Sequence, residues 1–334
     1  MREIKITAND AGRRLDRFLR KYLKEASLSE IYKFIRKDVK VDGRRRDQSY
    51  ILNEGEVLSL YLSDDVLDKL VGSAYAPAGA SRNFDLVYED EEVLIANKPY
   101  GLLTHGDSHE KKDHLANRVK DYLITSGAYN PREEKVFTPA PVNRLDRNTT
   151  GIVIFGKTSE SMRELTRMIR EDEIRKFYLT IACGIIEDEL HLTGGLIKDE
   201  DANKVRILDS AQEDGAKDIE TIVTPLEYME FGSGFEATLC AVELVTGRSH
   251  QIRAHLASVG HPLIGDSKYA HRKFAGLNDY CKKKCGLGTQ LLHAYRVEFS
   301  ENVASSASLG YLAGHSFKSP MPERFAEIFW KLYI

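Results

Sequence analysis

The sequence predicts an α+β chain: a large domain on a mixed, mainly antiparallel β-sheet with flanking helices, preceded by a small N-terminal α/β domain. Three observations predict it. Short strands joined by tight turns recur after residue 83, without the regular strand-helix-strand alternation of a parallel sheet. Apolar residues at helical spacing fall between Leu15 and Ile35, inside a strongly basic block. Small and turn residues at 63–82 separate the two textures and read as a linker. The expected division is 1–62, linker 63–82, and 83–334.

The 334 residues, 42% hydrophobic and 30% charged, suffice for two or three domains with one substantial core. No apolar stretch approaches the roughly 18–20 residues of a membrane helix. The opening Met1-Arg2-Glu3-Ile4-Lys5 lacks the apolar segment of a signal peptide, so the expected compartment is the cytoplasm. Cys183 and Cys240 sit in apolar alternating runs and read as core. Cys281 and Cys285 flank three lysines and read as a basic loop with free thiols. Neither they nor His105, His109 and His114 have further ligands at metal spacing, so no metal site is expected.

The net charge of −3 hides an asymmetry: residues 13–46 hold 13 Lys/Arg against 5 Asp/Glu, a local charge of +8. A basic block on an acidic body suggests an anion-binding surface, with nucleic acid the obvious anion. Its first helix follows from Leu15, Phe18, Leu19, Tyr22 and Leu23, spaced as one helix face. Arg13, Arg14, Arg17, Arg20, Lys21 and Lys24 lie outside that face. Ser29 is the expected cap of a second helix, with Ile31, Phe34 and Ile35 inward and Lys33, Arg36 and Lys37 outward. Val39 and Val41 alternate, Asp42-Gly43 makes a tight turn, Arg44-Arg45-Arg46 follows, and 57–62 is a strand. The order resembles the alpha-L RNA-binding motif, carried by Arg13-Arg14-Leu15-Asp16, Phe18-Leu19, Ser29, Ile35, Val41 and Gly43. One position departs: Glu30 stands where that family usually has arginine. A solvated basic face with no partner is the alternative. In the RNA-binding reading, Arg13, Arg14, Arg17, Arg36, Lys37 and Arg44 meet phosphates and position RNA without reading its sequence.

In the second domain, residues 84–88 and 93–97 alternate as strands about the acidic turn 89–92, and Pro99 ends the second. Further strands are expected at 152–157, 177–184, 219–225 and 235–246, with helices at 159–171, 250–259 and 322–332. No Gly-rich phosphate loop or dinucleotide fingerprint appears. Chemistry here has to use side chains.

Polar residues gather in three segments: Asn143-Arg144-Leu145-Asp146-Arg147-Asn148-Thr149-Thr150-Gly151, Arg175-Lys176-Phe177-Tyr178-Leu179, and Thr246-Gly247-Arg248-Ser249-His250-Gln251-Ile252-Arg253-Ala254-His255-Leu256 running on to Asp266. Each residue alone has a plain reading. Asp146 between two arginines is a nucleophile or an ion pair, Tyr178 a core residue or a base platform, Arg253 a salt bridge or a site cation, and the histidines structural or functional. Together and in this order the segments resemble the RluA-type pseudouridine synthases, in the branch containing RluC and RluD. Lys98-Pro99-Tyr100-Gly101-Leu102, His105 and Leu292-His293-Ala294 also match that family. Asn143 replaces its leading histidine and Thr150 its serine; residues 301–319 match nothing in it.

The resemblance implies an RNA pseudouridine synthase, an isomerase. The base leaves the ribose, turns, and rejoins through carbon 5, with no redox change and no cofactor. It implies Asp146 as nucleophile or base, acting at the base or at the sugar, kept ionised by the neighbouring cation Arg253. It implies Tyr178 as an exposed aromatic stacking on the target base and Arg144 as the filler of the flipped base's place. Leu256 is expected to line the uracil pocket and His250 to meet substrate. Ribosomal RNA of the large subunit is the expected partner of a monomeric enzyme. Transfer RNA as substrate, and a non-catalytic RNA-binding or ribosome-assembly factor keeping this fold, are the alternatives.

Overall fold

A computed structural model describes residues 1–71, 84–199, 204–213, 215–231, 234–303 and 308–333. The N-terminal unit runs β1 (Arg2–Lys5), α1 (Leu15–Tyr22), α2 (Leu28–Lys37), β2 (Val39–Val41), β3 (Val57–Leu60) and α3 (Asp64–Val71). Its three strands pair antiparallel in the order β1-β3-β2. The apolar face of α1 packs Leu15, Phe18 and Leu19 onto this sheet, all 1% exposed or less. Asp16 in its first turn and Arg20 and Lys21 in its last complement the helix dipole. Asp42 and Gly43 both take positive φ, 48° and 70°, as a two-residue hairpin turn requires.

Two expectations change here. Ser27, not Ser29, caps α2: its hydroxyl accepts from the Glu30 amide, while the Glu30 carboxylate accepts from the Ser27 amide at 2.8 Å. The capping box joins a cap residue to the side chain three residues on, so only Ser27 can form it with Glu30. The departure at Glu30 thus closes the helix start. The expected linker starts later: 64–71 is the helix α3, held by the fully buried Leu67 in the N-terminal core. Residues 72–82 of that linker lie outside the described residues.

The second unit runs β4 (Asp85–Glu89), β5 (Val93–Lys98), α4 (Leu115–Thr125), β6 (Ala140–Pro141), β7 (Thr150–Gly156), α5 (Ser159–Arg170), β8 (Ile174–Cys183), β9 (Leu190–Asp199), β10 (Lys204–Leu208), β11 (Lys217–Phe231), β12 (Phe235–Leu244), α6 (Gln251–Ser258), α7 (Ala275–Cys285), β13 (Leu292–Phe299), β14 (Ser316–Lys318) and α8 (Glu323–Tyr333). Nine strands follow one path, β10-β9-β11-β12-β8-β13-β7-β5-β4, with β14 on β13 and β6 on β7. Every described pairing in this sheet is antiparallel except β13 with β7. The central strands are buried on both faces. Val153 and Phe155 of β7 enter one core with Tyr178 and Leu256, while Ile152 and Ile154 enter a second with Leu165 of α5. The lysines between Cys281 and Cys285 end the helix α7 rather than forming a loop, because Leu277 and Cys281, one turn apart, are both fully buried.

The carboxylate of Asp10 anchors the N-terminal unit on the larger domain. Asp10, 0% exposed, accepts backbone N–H bonds from Lys135 at 3.0 Å and from Val136 and Phe137 at 3.1 Å each. Val136 inserts into the N-terminal core. Asn9 adds a bond from the Ser159 amide at 2.8 Å and one to Glu134 at 3.0 Å.

Candidate active site

Asp146 lies on the turn before β7, and its backbone is pinned on both sides. Thr104 Oγ1 donates to the Leu145 carbonyl and accepts from the Leu145 amide, each at 3.0 Å. On the other side Lys98 Nζ donates to the Arg147 carbonyl at 3.0 Å. This lysine, 0% exposed, also donates to the carbonyls of Pro99 at 3.0 Å and Leu102 at 2.6 Å. Burial pushes its pKa down to about 7, against the pull of the Asp146 charge. Three carbonyls match the three N–H groups of the ammonium, so the side chain ties β5 to the Asp146 turn.

Arg253, in the first turn of α6, reaches Asp146 from below. Its Nη1 donates to Asp146 Oδ2 at 2.8 Å. Its Nε and Nη2 are taken by the two oxygens of Asp266, at 2.6 and 2.9 Å. Burial disfavours the Arg253 charge, but Asp266 and then Asp146 outweigh it and raise its pKa. The Tyr269 ring covers the guanidinium, its centroid 5.3 Å away. The start of α6 is braced by Gln251, whose amide donates to Glu220 O and Thr221 Oγ1 and accepts from Thr246 Oγ1 and Arg248 N. His255 bonds Thr221 Oγ1 at 3.0 Å inside the fold and does not face the site.

His250 precedes α6 with φ of 57°, a left-handed conformation uncommon for histidine. Its Nδ1 lies 2.9 Å from Tyr269 Oη, which already accepts from the Val205 amide at 2.9 Å. With the Tyr269 hydroxyl donating to Nδ1, the neutral ring carries its proton on Nε2. That nitrogen faces Asp146 Oδ2 at 3.8 Å. Burial lowers the His250 pKa, opposed by Asp146.

These groups open on a cavity of about 480 Å³ lined by Arg144, Asp146, Tyr178, Arg248, His250 and Arg253 among others. Arg144 is exposed at its mouth. Tyr178 lines it from β8 but is only 5% exposed, where an exposed platform was expected. Burial first, and Asp146 second, raise its pKa, so it stays a neutral phenol. Leu256 corrects the sequence reading: it is fully buried and absent from the lining. One helical turn beyond Ile252 and Arg253, it is carried down onto the sheet, and Leu145, Leu244 and Leu292 line the cavity instead.

Both departures from the expected motif carry bonds. Asn143 donates to the Ile152 carbonyl at 3.1 Å and accepts from the Ile154 amide at 2.8 Å, bracing β7. Thr150 Oγ1 meets His293 Nδ1 at 2.9 Å. Asp266, Lys98, Thr104 and Tyr269 were not singled out from sequence. Asp266 and Lys98 did stand in segments noted there, but a turn aspartate and a strand-end lysine look like surface residues until their partners are located.

Of the N-terminal cations, Arg17, Arg36, Lys37 and Arg44 are exposed. Arg14 is paired with Asp16 through two bonds, at 3.1 and 2.8 Å. Arg13 turns to the domain seam, its Nη2 donating to Ser159 Oγ at 3.2 Å. Among the described residues no three His, Cys, Asp or Glu side chains gather as a metal would need. No described helix is long and apolar enough to cross a membrane.

The RNA pseudouridylate synthase family matches residues 92–258, a span holding Asp146, Tyr178, His250 and Arg253. The chain belongs to that family. The pseudouridine synthase domain follows an S4 domain matched at residues 13–58, so this RNA pseudouridine synthase carries an N-terminal RNA-binding module. A ribosomal large subunit pseudouridine synthase C of Vibrio parahaemolyticus is 30% identical over 300 residues, covering 89% of this synthase and 87% of that protein. Its namesake in Escherichia coli K12 is 31% identical over 300 residues, covering 89% and 88%. Among solved structures, human RNA pseudouridylate synthase domain containing 4 aligns with TM-score 0.53 and 19% identity over 74% of this synthase and 92% of that chain, a likeness of fold.

Proposed function

We infer that this synthase isomerises uridine to pseudouridine in large-subunit ribosomal RNA, as a cytoplasmic monomer. The printed names of its relatives support the substrate class, and the S4 module supports a structured RNA. The observation that carries the chemistry is the Asp146–Arg253 pair at 2.8 Å in the cavity floor. Arg253 engages Oδ2, and Oδ1 is the atom that meets the nucleoside. The C1′–N1 bond breaks and C1′–C5 forms; the C5 proton is lost and N1 gains one, so nothing is oxidised or added. Tyr178, held in its neutral form, is the flat surface beneath the flipped uracil. Arg144 at the mouth takes the place the base vacates in the RNA. The exposed Arg17, Arg36, Lys37 and Arg44 meet phosphates.

The test is to map pseudouridines in ribosomal RNA from cells with and without the gene, and to treat the unmodified RNA with pure protein. At least one large-subunit position should depend on the gene and be restored by the wild-type protein, with Asp146→Asn restoring none. Full activity of Asp146→Asn overturns the catalytic assignment, and gene-dependent positions only in transfer RNA overturn the substrate.

A further inference from the structure

Two guanidinium groups from different domains converge on one hydroxyl at the seam. Arg13 Nη2 of the N-terminal module is 3.2 Å from Ser159 Oγ, and Arg163 Nη1 of α5 is 3.5 Å from the same oxygen. Arg163 also lies against the module's backbone: a Cβ built on Gly12 would sit 3.6 Å from its Nη1. Lys21 of α1 is close enough that the Arg13 charge, after burial, depresses its pKa. Arg13 is itself depressed, by burial first; Asp10 opposes this, and Arg163 adds to the depression.

Three like charges drawn together favour a further anion beside them. One carboxylate, Asp10, already attracts Arg13 and Lys21, but it is one charge against three and both its oxygens are occupied by the amides of Lys135, Val136 and Phe137. Ser159 is neutral, and its amide is taken by Asn9. Arg13 Nε is buried with no hydrogen-bond partner among the described residues. Ser159 opens the twelve-residue helix α5, whose N-terminal end adds positive potential at the same point. Arg163 and Lys21 are exposed, so the cluster faces solvent.

We propose that Arg13, Lys21 and Arg163 form a composite site for a backbone phosphate of the RNA, assembled only when the module is docked. The proposal rests on the RNA-synthase reading and adds to it a contact from the catalytic domain. From Arg163, α5 leads to Thr166 and Arg170, which line the catalytic cavity. The Arg163-to-Arg170 step is about 10 Å along the helix. A strand held at the seam is thereby aimed along α5 at the cavity mouth.

The test is binding of the full-length protein to in-vitro transcribed large-subunit ribosomal RNA across a salt series. Arg163→Gln should weaken binding about three- to tenfold near 0.1 M salt and make the log–log salt slope shallower by about 0.7–0.9, one phosphate's share. Arg163→Lys should restore most of the slope, since it keeps the charge. In Arg13→Gln the further loss from Arg163→Gln should shrink, because both act on one phosphate. An unchanged affinity and slope in Arg163→Gln overturns the site. So does a lower melting temperature with an unchanged slope, which marks a protein-only contact. Wild-type protein that fails to bind this RNA overturns the RNA reading itself, and the site with it.

Discussion

Asp266 holds Arg253 by two nitrogens and leaves the third for Asp146. The pair is bidentate, Nε to Oδ2 at 2.6 Å and Nη2 to Oδ1 at 2.9 Å, and the aspartate is 1% exposed. A forked contact fixes the guanidinium plane as well as its position. Asp266 Oδ1 also accepts from the Lys268 amide at 2.9 Å, so the turn that carries Tyr269 and the cation under Asp146 are set by one carboxylate.

Asp266→Asn therefore should act on chemistry without touching RNA. The amide cannot make both charge-assisted bonds, and Arg253 loses its fixed plane. An error of about 1 Å at a reacting group costs on the order of 10²-fold in rate. Single-turnover pseudouridine formation should fall by about that factor while RNA affinity holds. A rate within twofold of wild type would show that Arg253 does not depend on Asp266.

Gly151 ends the Asp146 motif for a steric reason. A Cβ there would lie 2.1 Å from the Ala294 carbonyl oxygen and 2.7 Å from the Ala294 amide nitrogen, and φ is 110°. This is the parallel β7–β13 contact, where Ala294 pairs with Gly151. Gly151→Ala should cost about 3 kcal/mol through overpacking and a disfavoured φ. Activity should fall with it, because the Asp146 turn feeds directly into β7. Urea unfolding reads the stability, and an alanine variant as stable as wild type contradicts the close strand approach.

What was legible in the sequence was whatever has a local period or a local motif. Leu15, Phe18, Leu19 and Tyr22 mark α1 and are all buried; Ile152 to Phe155 mark a central strand. The helix α7 was not legible: Leu277, Tyr280, Cys281 and Cys285 face inward, but two of the four are cysteines and three lysines stand between them. In β9, Gly194 and Gly195 break the alternation. At the site, the segments holding Asp146, Tyr178 and Arg253 could be picked out, but not which residues set them. Thr104 and Lys98 reach the backbone of Leu145 and Arg147, 41 and 49 positions away, and Asp266 a guanidinium 13 positions away, and no spacing rule encodes such distances. Leu256 was misplaced because a motif position does not say how deep a helix turn sits.

Asp10 should govern whether the two domains behave as one body. It satisfies three backbone amides at 3.0–3.1 Å from inside the seam. Asp10→Ala leaves those amides without an acceptor, a loss on the order of 3 kcal/mol. Calorimetry should show the single transition of the wild type splitting, the N-terminal module melting first. Proteolysis should become faster at residues 130–137. An unchanged single transition would place the docking energy elsewhere, in Val136 and the Asn9 bonds.

His293 should make the protein acid-sensitive in a defined window. It is fully buried, and burial pushes its pKa from 6.5 down to about 4. Between those values the unfolded chain holds a proton that the folded chain refuses. Stability is therefore complete above pH 6.5 and falls as pH drops toward 4, by about 3 kcal/mol for this one group at 1.36 kcal/mol per pKa unit. His105, His114, His250 and His255 are also lowered, each by burial first, and add in the same direction. His293→Gln can keep a bond to Thr150 but cannot titrate. It should lower stability at pH 7 modestly and flatten the slope between pH 6.5 and 4 by up to one proton. Urea midpoints at half-unit pH steps measure both. A variant with the wild-type slope would mean that His293 takes up its proton without unfolding the β7–β13 junction, and that the acid sensitivity belongs to the other four.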